Sequence, residues 1–512
     1  MKKFFVILIA TLMLFSFTGC GGNRGTSSRK GSISVLIYEA GFGTQWLENM
    51  ANEYEKETGV KVKVMPSYVG GEIIGMLDGG TLNADIIMPL GGLSKQSEQG
   101  KIIELSDVYN AVPKGETIAI KDKMNQNIYQ KNLTKDNKIY TMNWLDTVST
   151  LIYNKTVLDN LFGDDKYTLP RTTKELIKFA EEIKTKSNDN VYPFAYSTGG
   201  SVGYLRYAHM TWWAQYEGLN NYSDYYYGYY WEGSERKKAE SFDDLDAPGR
   251  LKSLETASAL WSKSSGYSHQ YCDAMTFTEA QAAFLGQGYK GQDMKEVAMM
   301  MNGDWLQNEM AVYLANKWQD IRLMRLPVIS DIVEKLPTVE DDSELSALIA
   351  AIDEKSTALK GDGYDVSQKD FDRVKESRMM VASQTFDHTI AISANSQKQD
   401  MAKDFLVFMA SDKGQQIYAK QFNGLTQAYG YHPDASEVND YARSRIDLYG
   451  SEYIPICRDL AAPMVYLGGL LDYTNLMAID GLIFSDRDPK TILAVTNSAM
   501  KANWKEITKY ID

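Results

Sequence analysis

The order in which two hydrophobic periods follow one another constrains this chain more than any single motif. Residues 32–38 are rich in β-branched and aromatic side chains and read as a strand. In residues 44–58, Leu47, Met50, Ala51 and Tyr54 recur at helical spacing, with Thr44 placed to cap the segment and Gly59 to stop it. Residues 60–64 then alternate strictly between Val and Lys, residues 71–77 return to a helical pattern, and residues 84–88 form a short apolar strand before Pro89. Strands that alternate with helices predict an α/β fold with a mostly parallel sheet. Further strands are expected at 139–140, 150–153, 299–301 and 389–392, and further helices at 172–186, 249–262, 278–284 and 399–409. Residues 330–378 are charge-rich and helix-forming around a Lys360-Gly361-Asp362-Gly363 turn, and read as an insertion on a domain surface.

The first thirty residues are of another kind. Lys2 and Lys3 precede an apolar run over residues 4–17, broken only by Thr11 and Ser16, and small residues lead to Cys20. This is the pattern of a secretory signal peptide over residues 1–19. The run is shorter than the roughly 20 apolar residues a membrane-spanning helix needs. Residues 20–31 read as a polar tether.

The rest of the chain is long enough for two domains of about 100–200 residues, and 44% of the whole sequence is hydrophobic. A net charge of −13 speaks against nucleic acid as a partner, since phosphates need Lys and Arg stripes. The four histidines, His209, His269, His388 and His432, are scattered, so neither a metal site nor histidine catalysis is expected, and no cofactor. Cys272 and Cys457 are expected as free thiols. No Gly-x-Ser-x-Gly elbow or phosphate loop is read in its strand–turn–helix context, so the chain is not expected to be an enzyme.

Several segments together match one family. Leu151, Ile152, Tyr153, Asn154 and Lys155 look like its crossing into a second domain. Residues 169–176 resemble its "P-x-T-x-x-E-L" helix start, Asn302 to Trp305 its "N-G-x-W" motif, and residues 402–408 its "A-x-x-F-L-x-F" helix, with Ser411 and Gly414 beyond. On these motifs the chain resembles the family 1 extracellular solute-binding proteins of ABC importers, which include the maltose-binding proteins. Phe17, Thr18, Gly19 and Cys20 resemble the lipobox of bacterial lipoproteins, which implies a lipid on Cys20 and a membrane-anchored, extracytoplasmic protein. The resemblance implies a two-lobed, periplasmic-binding-protein-like α/β fold with a strand-crossing hinge and an inter-lobe cleft. Lobe one would comprise 32–147 and 306–411, with the helical insertion at about 330–378, and lobe two 148–305 and 412–512. A monomer is expected, with importer permease subunits as partners and a small polar solute, a sugar or oligosaccharide, as ligand; the alternatives are a non-sugar solute of the same family or a secreted carbohydrate-active enzyme with Asp146 and Asp304 as its carboxyl pair.

Ligands of open α/β sheets sit beyond the carboxyl ends of strands, which selects Glu39 and Phe42 after the first strand. Trp144 with Asp146, and Asp304 with Trp305, stand at the expected crossings. A planar ring can cover the apolar face of a sugar while a carboxylate accepts from its hydroxyls. Tyr204, Trp212 and Trp231 are further candidates from an aromatic-rich stretch that also holds Trp213, Tyr229 and Tyr230. Catalytic residues are not expected. Cys20→Ser is expected to leave the lobes folded and to release the protein from membranes, as membrane fractionation would read; unchanged partitioning would refute the anchor.

Overall fold

The structure is a computed structural model that describes residues 31–39, 41–198, 203–245, 247–450, 452–457, 462 and 479–510. Fifteen strands are described: β1 Ser32–Tyr38, β2 Lys61–Ser67, β3 Ile86–Met88, β4 Met142–Asn143, β5 Val148–Asn154, β6 Val191–Phe194, β7 Tyr229–Glu232, β8 Glu235–Lys238, β9 Glu296–Gly303, β10 Ile321–Met324, β11 Lys360–Gly361, β12 Tyr364–Asp365, β13 Met380–Ser383, β14 Thr389–Ile392 and β15 Ile454–Ile456. One sheet runs β2-β1-β3-β14-β4. The second large sheet runs β15-β13-β5-β9-β6, with β10 also paired to β5, and β7–β8 and β11–β12 are separate two-stranded ribbons.

Both sheets are mixed, where the alternating pattern predicted mostly parallel pairing. β1 is parallel to β2 and β3, as βα units require. β14 is antiparallel to β3 and β4, and β5 is antiparallel to β9, β10 and β13. The antiparallel members adjoin the points where the chain passes from one sheet to the other.

Most local signals act where they were expected, although Thr44, placed to cap the first helix, makes no side-chain cap hydrogen bond. The helix Gln45–Thr58 stops at Gly59, whose φ of 67° is left-handed and whose N–H closes on the Glu55 carbonyl. The helix Thr173–Lys186 starts with a full capping box between Thr172 and Glu175. Cys272 is a free, buried thiol, and Cys457 is partly buried.

The division into lobes differs from the expected one. β10 and β13, expected in lobe one, are hydrogen-bonded to β5 in the second sheet. The insertion docks there too: Thr172 Oγ1 donates to Asp342 at 2.8 Å, Ser346 Oγ to Glu175 at 2.5 Å, and the Ile329 amide to Gln215 at 3.0 Å. Conversely the helix Asp412–Gln421, expected in lobe two, belongs to the first lobe. Its Tyr418 meets Trp46 edge-on at 5.2 Å, and Phe422 just beyond it meets Phe42 at 5.0 Å. Strand pairing decides membership here, and sequence order does not reveal it.

Two of the expected ligand-stacking rings are core residues. Trp144 has 0% exposure, lies parallel to Trp46 at 5.8 Å and takes the His388 ring edge-on at 4.9 Å. Trp212 has 0% exposure, stacks on Trp261 at 5.3 Å and donates its indole N–H to the Pro327 carbonyl at 3.0 Å. Deleting a buried Trp side chain costs about 3–5 kcal/mol. Trp144→Ala and Trp212→Ala are therefore each expected to lose that much unfolding free energy in urea titrations, and the half-buried Trp305→Ala clearly less. Wild-type midpoints for the first two would contradict their place in the core.

Candidate functional site

The site is built around the passages between the sheets. The first follows β4 and carries Trp144 to Thr147. The second lies between β13 and β14, and a third returns from the helix Asp412–Gln421 towards the helix Asp440–Tyr449. Side chains tie them together. Asn143 Nδ2 donates to the Thr385 carbonyl at 3.0 Å, and the Thr147 amide to Thr385 Oγ1 at 3.1 Å. The Trp144 amide donates to the His388 carbonyl at 3.1 Å. From the third passage, the Tyr429 hydroxyl donates to the Asn143 carbonyl at 2.6 Å and Gln427 Nε2 to the Trp144 carbonyl. A buried backbone group needs such partners, and here the partners come from the other passages.

Asp146 and Asp304 are brought together, but around an arginine. Arg445, on the helix Asp440–Tyr449, places Nη2 3.0 Å from Asp146 Oδ2 and Nε 3.5 Å from Asp304 Oδ2. Tyr453 donates its hydroxyl to Asp146 Oδ1. Asp304 also accepts from Thr147 Oγ1 at 2.7 Å and from the Val148 amide at 3.2 Å. Both carboxylates are buried and their acceptor positions are used internally. The expectation that they accept from a sugar is therefore corrected: they join β9 and the first passage to the C-terminal segment. Arg445 carried no motif that could have flagged it.

Trp305 stands differently. It is half-buried and packs against the apolar cores on both sides of the passages. It lies flat on Gly303: a Cβ there would come within 2.1 Å of the indole ring, which accounts for the glycine of the "N-G-x-W" motif. On the other side it faces the loop after β1. A Cβ on Gly41 would lie 3.5 Å from Trp305 Cδ1 and 3.6 Å from Glu309 Oε1, so ring and carboxylate converge on one small space. Asn308 Nδ2 donates to the Gly41 carbonyl at 2.6 Å and holds that loop to the turn bearing both.

Three further residues complete this cluster. Tyr204, mostly buried at the start of the helix Leu205–Glu217, lies 6.3 Å from Trp305 ring to ring. Burial raises its hydroxyl pKa, and the nearby Glu309 charge adds to this. Glu309 Oε2 accepts from Gln281 Nε2 at 2.7 Å, and burial raises its carboxyl above the ordinary range. Glu309 and Gln281 were not foreseen, although Glu309 lies one helical turn beyond Trp305, a spacing that could have pointed to it. Glu39, at the carboxyl end of β1, is half-exposed and its carboxylate makes no hydrogen bond among the described residues. Phe42 is buried against Phe422 and supports the loop.

Trp231 is apart from this group. It is 39% exposed on the β7–β8 hairpin, where its indole N–H donates to Asp224 at 2.7 Å and Arg236 grips the same carboxylate. The string Gly199-Gly200-Ser201-Val202-Gly203 does have the Gly-x-Ser-x-Gly form, although no such elbow was expected. β6 ends at Phe194, short of the sharp strand-to-helix turn an elbow requires, and Ser201 is outside the described residues, as is Cys20.

The architecture, two α/β lobes joined by several chain passages, is that of the two-lobed periplasmic-binding-protein type. The chain belongs to the family described as bacterial extracellular solute-binding protein, whose model matches residues 49–443. Similar solved structures include a binding protein MsmE from Bacillus subtilis in an open conformation, at 14% identity and a TM-score of 0.58 over 94% of this chain and 100% of that one. The apo form of RafE from Streptococcus pneumoniae matches at 15% and 0.59 over 94% and 99%. GacH of Streptomyces glaucescens matches at 15% and 0.57 over 94% and 100%. No curated protein matches the chain by sequence.

Burial pushes the Asp304 carboxyl up from 3.8 to about 6, against the opposing pull of Arg445, Thr147 and the Val148 amide. A carboxyl whose folded pKa is raised contributes stability that is present below the unfolded value and is lost as pH rises through the folded one. Wild type is therefore expected to lose up to roughly 3 kcal/mol relative to Asp304→Asn as pH rises from about 4 to above 6. Parallel denaturant titrations across that window measure the difference, and a constant gap would exclude the shift.

Proposed function

We propose that this protein captures a sugar or oligosaccharide outside the cytoplasm and delivers it to an ABC importer, held at the membrane by a lipid on Cys20. Membership of the extracellular solute-binding family supports an extracytoplasmic binding role. The structural neighbours support the solute class: RafE has been solved with raffinose, another neighbour is a chitin oligosaccharide binding protein, GacH has been solved with acarbose, and AcbH prefers β-D-galactopyranose. None of the described helices is long and apolar enough to cross a membrane, so attachment is assigned to the lipobox-like run at residues 17–20.

The observation that carries this reading is Trp305. Its half-buried ring, with Tyr204 alongside and Glu309 one turn away, supplies a flat apolar surface and an acceptor at one place. Glu39 offers a second acceptor from the loop after β1. A pyranose needs both kinds of contact, because its ring faces are C–H surfaces and its rim is hydroxyl. The solute would touch the β1 loop on one side and the turn after β9 on the other, so binding and lobe closure would be coupled.

If the ring shields about 80 Å² of sugar C–H surface, it contributes roughly 2 kcal/mol at about 25 cal/mol per Å². Trp305→Ala is accordingly expected to weaken binding by about 30-fold in calorimetric titrations with raffinose, a chitooligosaccharide and galactose. Sugar affinity that survives Trp305→Ala unchanged would put the site elsewhere, and no heat with any sugar would leave a non-sugar solute of the same family.

A further inference from the structure

Glu309 is a carboxyl group in an unusual position. Its side chain is half-buried, and among the described residues its hydrogen bond comes from a neutral amide, Gln281 Nε2. It forms no ion pair among those residues, and only burial and the Gln281 amide act on its carboxyl. Gln281 is itself fully buried, and its Oε1 has no donor among the described residues. The contrast with Asp146 and Asp304 is direct: those two carboxylates share Arg445, whereas no described cation reaches Glu309.

The surroundings of Glu309 are suited to positive charge. The Trp305 ring and Glu309 Oε1 bound the same space opposite Gly41, where the missing side chain leaves room. Tyr204 is close enough for the Glu309 charge to act on its hydroxyl. Aromatic faces attract cations through their quadrupole, and more so where water is excluded. A neutral diol could satisfy the acceptors but would leave a desolvated negative charge uncompensated. An ammonium group satisfies acceptor, charge and π-face together.

We infer that the solute carries a protonated amine, as an amino sugar does, and that it is held at Glu309 against the Trp305 ring. This rests on the reading of the Trp305 cluster as the sugar site and narrows the class of sugar. Gln281 is a positioning residue: its amide holds Glu309 Oε2, which leaves Oε1 turned to the space beside Gly41.

The test is calorimetric titration of the full mature chain at pH 6.5 with three trisaccharides: one of free glucosamine units, its fully N-acetylated counterpart, and raffinose. The free amine is expected to bind at least 10-fold more tightly than the acetylated form. Glu309→Gln, which keeps shape and removes charge, is expected to bring the two within about 3-fold while its melting temperature stays near wild type. If Glu309→Gln does not fold, the ratio of the two sugars on wild type at low and high salt serves instead, and an amine preference that salt leaves unchanged overturns the inference. Equal or tighter binding of the acetylated sugar, or a preference that persists in Glu309→Gln, overturns it while leaving the sugar reading intact. Binding of none of the three overturns both.

Discussion

Arg445 sits where three parts of the chain meet, and much of the arrangement depends on its charge. Asp146 belongs to the first passage between the sheets, Asp304 follows β9, and Arg445 comes from a helix almost 140 residues further along the chain than β9. Burial raises the Asp304 carboxyl and the neighbouring Asp146 charge adds to this, against the pull of Arg445. Burying such a triad is costly compared with apolar side chains, and removing one partner is costlier still, because it strands a charge. Its value lies in geometry. Asp304 also accepts from the Thr147 hydroxyl and the Val148 amide, so the end of β9, and with it the turn that carries Trp305 and Glu309, is held in a defined relation to the first passage.

Around that anchor the passages are joined chiefly by hydrogen bonds between backbone and side chain. Thr385, Gln427 and Tyr429 each satisfy a backbone or side-chain group on residues 143–147. Bonds of this kind can persist while strands rotate slightly, whereas an interdigitated apolar core resists small displacements. Trp144, stacked on Trp46 within the first lobe, gives the passage a rigid footing on that side. Trp305 is the ring that lies between both cores, and this separates a structural tryptophan from one that can meet a ligand although both stand within two residues of an aspartate in the sequence.

Much of the fold was legible from local pattern. β1, the helix Gln45–Thr58 with its glycine stop, the capped helix Thr173–Lys186 and β14 lie where periodicity and capping residues put them, because those signals act over a few residues of chain. Trp305 was legible through the motif around Gly303, since a ring lying on the backbone demands a residue without a side chain. Sheet membership was not legible. β10 and β13 look like any short apolar strand, and only their register against β5 assigns them to the second lobe.

The sequence by itself determined the α/β class and the positions of the main elements. Tertiary structure alone decided which carboxylates are free. Asp146, Asp304 and Glu309 are all carboxylates within four residues of a tryptophan, and nothing local shows which of them keeps no counter-charge. The difference is made by Arg445 and Gln281, which reach them from distant parts of the chain. A charge is available to a ligand only where folding has not already supplied its counter-charge, and that depends on long-range contacts rather than on local pattern.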